Sequence, residues 1–238
     1  MKSTLPNDTS PFSFEEVVPE PEIKWRETLR VFCQNRMALL GLILVTVFVF
    51  VGLFGSFIFP ADPFEMVATP LSEPGAGVIF GSDYMCRDVF IGIIYGTQPT
   101  LVIATIATLV TVLIGITLGA VAGFYGGKID NILMRITEFF QVLPPLVFTM
   151  VIVAVFSTDI VVVILAIAIT TWTPEARLTR PEFLKIKERE YVMSARAIGA
   201  KNMRLITKVI LPNAMPPLII AITLRVGVTI IYLSLIHI

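Results

Sequence analysis

The chain holds little that could do covalent chemistry or coat a surface facing water. One histidine, His237, and two cysteines, Cys33 and Cys86, are its whole stock of soft metal and redox ligands. No zinc or redox spacing can be built from them, and the cysteines fall on opposite sides of the first long apolar run, which argues against their pairing. A G-x-x-x-x-G-K-[ST] phosphate loop is also absent, so any ATP hydrolysis must come from a partner. Charge is the largest deficit. Only 15% of the 238 residues are Asp, Glu, Lys or Arg, against about a quarter in soluble domains. The first thirty-five residues have no apolar core of the kind a signal peptide needs; polar, acidic-rich and dotted with prolines, they read as a partly disordered tail.

What the chain does hold is long uncharged runs: 55% of its residues are hydrophobic, and the mean hydropathy is +0.85. A bilayer core about 30 Å thick needs roughly 20 apolar residues as a helix. Five runs qualify, at 38–59, 99–124, 139–158, 160–174 and 213–238. Pro144-Pro145 should kink the third or start it anew, because proline removes a backbone donor. The fourth is short and crosses only if Asp159 and Glu175 sit at the interfaces. Core helices of a soluble protein rarely run so long without a charge. The expected fold is an all-α membrane protein.

The charges, net zero, are strongly segregated and set the topology. Lys24, Arg26, Arg30 and Arg36 precede the first run, whereas residues 62–98 hold five acids against Arg87 alone. Basic residues favour the cytoplasmic side, so the N-terminus is expected inside and the 62–98 loop outside. Alternation puts the Tyr125-Gly126-Gly127-Lys128 turn inside. It also puts the 175–211 loop inside, where nine Lys/Arg face four Asp/Glu. The chain thus divides into a cytoplasmic tail (1–36), a first span (37–60), an outer loop (61–98) and a transmembrane core (99–238) that contains the inner loop.

That inner loop carries the most informative pattern. Met193-Ser194-Ala195-Arg196-Ala197-Ile198-Gly199 is followed, nine residues on, by Val209-Ile210-Leu211-Pro212. It reads as a short Ala-rich helix, a glycine stop, a second helix and a re-entry into the membrane. The pattern resembles the E-A-A-x-x-x-G-x(9)-I-x-L-P loop of permease subunits of ATP-binding-cassette importers. Gly199, Leu211 and Pro212 match outright, Ser194 and Ala195 stand at the alanine positions, Val209 stands for Ile, and Met193 replaces the glutamate. Residues 176–180, 187–192 and 211–214 are similar to the dipeptide, oligopeptide and nickel branch. So is Gly81-Ser82-Asp83-Tyr84-Met85-Cys86-Arg87-Asp88, where Cys86 replaces a usual glycine. Asn35-Arg36-Met37-Ala38 with the first span resembles the C-type permease of the pair.

The resemblance implies a heterodimer with a second permease, two ABC ATPase subunits carrying ATP and Mg, and an extracytoplasmic substrate-binding protein. It implies no catalytic residue, metal or cofactor in this chain and no nucleic-acid partner. The loop's first helix would sit in a groove of an ATPase, with Gly199 in a left-handed cap and Leu211-Pro212 stopping the second helix. The cargo would be short peptides, or a related solute such as a nickel chelate or glutathione. Related permeases continue into a sixth span, so the resemblance also implies a subunit lacking its C-terminal helix; the last residues depart from the family pattern, and His237 carries no weight.

Other residues divide by depth. Arg225 lies halfway along the fifth run, where a charge costs at least roughly 2.5–3.5 kcal/mol unless it faces water or the bundle interior. It is the candidate for the translocation path or for pairing with an acid. Asp83, Arg87 and Asp88 read as a cap and salt-bridge group before the second span, and Arg135 with Glu138 as an i,i+3 pair. A secondary transporter would need acids in mid-membrane, and the runs show none beyond Glu138 near an end. A membrane assembly protein without transport is the other alternative; co-purification with an ATPase separates it.

Overall fold

The computed structural model describes residues 25–75, 77–157 and 159–236. The remainder of the N-terminal tail and His237 lie outside the described residues. The chain divides into two units, residues 1–47 and 48–238.

In the first unit, α1 (Trp25–Gln34) precedes the start of α2 (Arg36–Ile58). The tail, read from sequence as partly disordered, is helical over Trp25–Gln34. Trp25, Leu29 and Phe32 recur at helical spacing against Arg26 and Arg30, an amphipathic pattern that polar composition alone conceals. Between the helices, the Asn35 side chain accepts from the Met37 and Ala38 amides at 3.1 and 3.3 Å, capping α2.

The second unit is all-helical apart from the loop before α3 (Val89–Tyr125). This helix starts ten residues before the uncharged run at Pro99, because Asp88 caps it, accepting from the Phe90 amide at 2.8 Å. A proline within an otherwise good helix is absorbed rather than obeyed. Asp83 organises the same loop through the Met85 and Arg87 amides. Arg87 makes no ion pair among the described residues; its guanidinium lies over the Phe64 ring, 5.2 Å from the centroid.

After the Gly126-Gly127 turn, at φ +66° and +56°, α4 (Gly127–Val142) and α5 (Pro145–Phe156) meet at an 81° bend. Pro144-Pro145 places the break as expected. The next pair, α6 (Ile160–Thr171) and α7 (Thr173–Lys187), bends by 47°. Then come α8 (Glu190–Ala197), α9 (Asn202–Arg204), a π-helical turn (Leu205–Ile210) and α10 (Leu211–Ile236). Three described helices are long and apolar enough to cross a membrane, and five spans result if each bent pair counts as one.

The bundle is built on α3 and α7. Gly115, Gly119 and Gly123 recur every fourth residue on one face of α3, and α7 lies directly on them. A Cβ at Gly119 would stand 2.5 Å from the Ala176 carbonyl oxygen, and one at Gly123 would stand 2.6 Å from that of Arg180. Only glycine permits such backbone approach, the usual means of helix association in lipid, where no hydrophobic force draws helices together. Residues 175–187, expected to begin a loop, are therefore part of the packed bundle: Glu175, Ala176, Thr179, Phe183 and Ile186 are buried. At the end of α3 that bears Gly123, Phe124, Phe183, Val192, Leu205 and Ile210 form one apolar cluster. A second cluster, including Ile103, Val163, Ile167 and Leu233, joins α3, α6 and α10 nearer the other end.

Candidate coupling element and buried ion pair

The Met193–Pro212 segment forms a compact projection at the basic end of the bundle. Val192, fully buried, ties α8 to the cluster below. Ala195 is half-buried, while Met193, Ser194, Ile198 and Gly199 face out. At the end of α8 the Ala200 amide donates to the Ala195 carbonyl at 3.1 Å and the Gly199 amide to that of Arg196 at 3.0 Å. These are the 6→1 and 5→2 bonds of a Schellman cap, which needs a left-handed residue at its turn. Gly199 supplies it with φ +92°. The helix therefore stops where the sequence says it should.

Leu211-Pro212 does not stop the second helix. Helix runs from Asn202 to Leu235 as one span, and the turn before the proline widens into π geometry, with the Leu211 amide donating to Ile206. Pro212 has no amide to give, and its ring would crowd a normal α turn. The Asn213 side-chain amide donates to the Val209 carbonyl at 2.6 Å. The projection is thus joined to α10 by continuous helix.

Arg225 is held by an acid. Its Nε donates to Glu175 Oε1 at 2.5 Å, with the side chains 13% and 6% exposed. This sets Glu175 beside a mid-span arginine rather than at an interface, and corrects the expectation that the spans hold no deep acid. The pair ties α7 to α10. One turn along, Thr229 accepts from Thr108 of α3 at 3.1 Å, so α3, α7 and α10 meet around a short polar seam. Glu175 Oε2 and Thr111 Oγ1 are buried there without partners. Arg225 thus anchors a helix contact while keeping a small part of its side chain exposed.

A second charged contact lies at the outside of α7. Arg180 donates from Nε and Nη2 to the two carboxylate oxygens of Asp130, at 2.5 and 2.6 Å. Arg177 donates to Gln141 Oε1 at 2.7 Å. Arg135 and Glu138 form their i,i+3 pair at 3.6 Å, both exposed. Cys33 and Cys86 are free, and no group of three or more His, Cys, Asp or Glu assembles among the described residues. Sequence reasoning missed the Gly115, Gly119 and Gly123 stripe, although its four-residue spacing within an apolar run is the signal that could have found it. The Glu175–Arg225 pair, fifty positions apart, carried no local signal.

The fold and these contacts define an all-α, multi-span membrane protein with a helical projection at one basic end. Residues 115–238 match the family model described as binding-protein-dependent transport system inner membrane component. Residues 24–73 match the N-terminal transmembrane domain of oligopeptide transport permease C. The chain belongs to the binding-protein-dependent transport permease family, whose members are transport components rather than enzymes. It is 34% identical over 221 residues to the dipeptide transport system permease protein of Haemophilus influenzae, covering 90% of this chain and 75% of that one. It is 31% identical over 206 residues to the oligopeptide permease of Bacillus subtilis, covering 85% and 67%. The glutathione transport system permease of Pectobacterium atrosepticum is 30% identical over 209 residues, covering 87% and 69%.

Proposed function

We propose that this chain is one of two permease subunits of an ATP-driven importer of short peptides, with its N-terminus and α8 in the cytoplasm. Two partner ATPases would bind ATP and Mg, and an extracytoplasmic binding protein would deliver the cargo. The observation that carries the reading is α8: an exposed apolar and small-residue helix, rooted by Val192 and ended by the Gly199 cap. It has the form of a knob for an ATPase groove. The excess of basic residues between 175 and 211 supports the cytoplasmic assignment.

Coupling follows from the packing. Closure of the ATPase dimer would displace α8, which rests on the same cluster as α7 and the start of α10. Neither helix can follow separately, because α7 is seated on the glycine face of α3 and joined to α10 by Glu175–Arg225. The projection and these helices move as a rigid body, and the differential contacts of α8 in two ATPase states bias the bundle between them. Peptide is the proposed cargo because the similar permeases are named for dipeptide, oligopeptide and glutathione transport. The test is uptake of a radiolabelled dipeptide into proteoliposomes holding the chain with its partner permease and ATPases. Uptake should require both ATP and the binding protein. Uptake without ATP, or none of any peptide by an assembled, ATP-hydrolysing complex, would contradict the proposal.

A further inference from the structure

With Arg225 held by Glu175, α4 carries an exposed polar and charged face of its own. Lys128, Asn131, Arg135, Glu138 and Gln141 recur at three- and four-residue intervals and are all exposed. They form one stripe along the helix. A second side is buried at Asp130 and Thr137, and a third, with Ile129, Ile132, Ile136 and Phe139, is exposed and apolar.

The depth of the stripe follows from the helix pairing. Asp130 meets Arg180, while Gln141, three turns later, meets the earlier Arg177, so α4 and α7 run antiparallel. Since α7 leads toward the basic end, α4 climbs away from it. From Asn131 to Gln141 the stripe is about 15 Å long along the helix axis, at 1.5 Å per residue. Where such a polar stripe enters the bilayer it faces water or protein, since lipid cannot satisfy it. A cavity of about 680 Å³ opens over the stripe, bounded by Asn131, Arg135, Glu138, Arg177 and Arg180.

Its charge is unbalanced in one place. Asp130 neutralises Arg180 through a two-pronged contact, and Glu138 stands against Arg135. Arg177 has only the neutral Gln141 amide and makes no ion pair among the described residues. One bond from Nη1 leaves the rest of the guanidinium fork free. Two positions from Glu175 on the helix, Arg177 points to the outer side of α7 while Glu175 points into the bundle.

We propose that this cavity is part of the inward half of the translocation route and that Arg177 is the anion partner for the terminal carboxylate of a short peptide. The proposal deepens the peptide-importer reading and rests on it for the ligand. A planar guanidinium matches a carboxylate through two parallel bonds, and Gln141 fixes the plane in which they are offered. Because Arg177 and Glu175 share α7, displacement of the coupling projection moves the anion site against α4.

The test uses the assembled transporter in lipid nanodiscs, with Cys33 and Cys86 replaced by alanine and single cysteines placed at Asn131, Glu138, Ile132 or Phe139. A charged methanethiosulfonate should modify the Asn131 and Glu138 positions at least about tenfold faster than the other two. Equal rates on both sides of α4 would overturn the aqueous wall. In a second arm, millimolar L-alanyl-L-alanine should slow modification at Asn131, its C-terminal amide should not, and Arg177→Gln should weaken protection about tenfold or more. Arg177→Lys should recover only part. Protection equal for acid and amide, unchanged by Arg177→Gln, or absent in the parent would overturn the carboxylate assignment. Peptide uptake by the same complex reports separately on the importer reading.

Discussion

Cys86 stands at a glycine position of the pattern its loop resembles, and its φ of +67° lies in the left-handed region that favours glycine. A β-carbon in that region costs about 1–2 kcal/mol, partly offset by the greater freedom that glycine, which costs roughly 0.5–1 kcal/mol, would lose on folding. Cys86→Gly should therefore raise the thermal midpoint of the detergent-solubilised protein, with a gain of up to about 1 kcal/mol; a lower midpoint would show that the thiol's packing outweighs the strain. Glu175 and Arg225 illustrate the opposite case. Each side chain is nearly enclosed, and removing one leaves a buried charge alone, at a cost of about 3–5 kcal/mol. Glu175→Leu and Arg225→Leu should each lower the midpoint sharply, whereas the double variant that combines them should recover much of the loss. Additive losses would mean that the two charges do not stabilise one another. Nothing in the sequence announced this pair. The mid-span depth of Arg225 demanded a partner, but the partner was assigned to a loop because it lies at the end of an uncharged run.

At the level of elements, long apolar runs were legible because a helix in lipid must be apolar over its exposed length, and α2, α3 and α10 follow those runs. Breaks were legible where proline doubled, as at Pro144-Pro145, and misleading where it stood alone. Pro99 lies inside α3, and Pro212 is accommodated by a π turn. Charge counting also concealed α7: Arg177 and Lys185 are exposed, but its Thr, Ala and Phe face is packed on glycine and Lys187 donates to the Gly123 carbonyl at 2.9 Å. That packing yields a prediction. Gly119→Ala places a β-carbon 2.5 Å from the Ala176 carbonyl oxygen, so α3 and α7 must part, at a cost of about 1–3 kcal/mol. Gly227, whose added β-carbon would meet nothing within 4 Å, is the matched control. Assembly with the partner permease, followed by size-exclusion chromatography, should fall for Gly119→Ala and hold for Gly227→Ala. Equal yields would indicate that the close approach does not govern the fold.

For the whole molecule, the proposed importer would join its membrane bundle to the partner ATPases through one small helix, α8. The loop pattern around Gly199 was readable because a Schellman cap ties a local sequence to a local shape. What α8 is seated on was not readable, since Val192, Leu205 and Phe183 meet only in the folded chain. The most direct measurement places a single cysteine at Ser194, which is exposed on α8, and cysteines along the permease-facing groove of the ATPase in the assembled complex. Oxidation should cross-link the two chains in high yield and stop ATP-driven dipeptide uptake, and reduction should restore it. A complex that transports peptide while Ser194→Cys never cross-links to the ATPase would contradict the account.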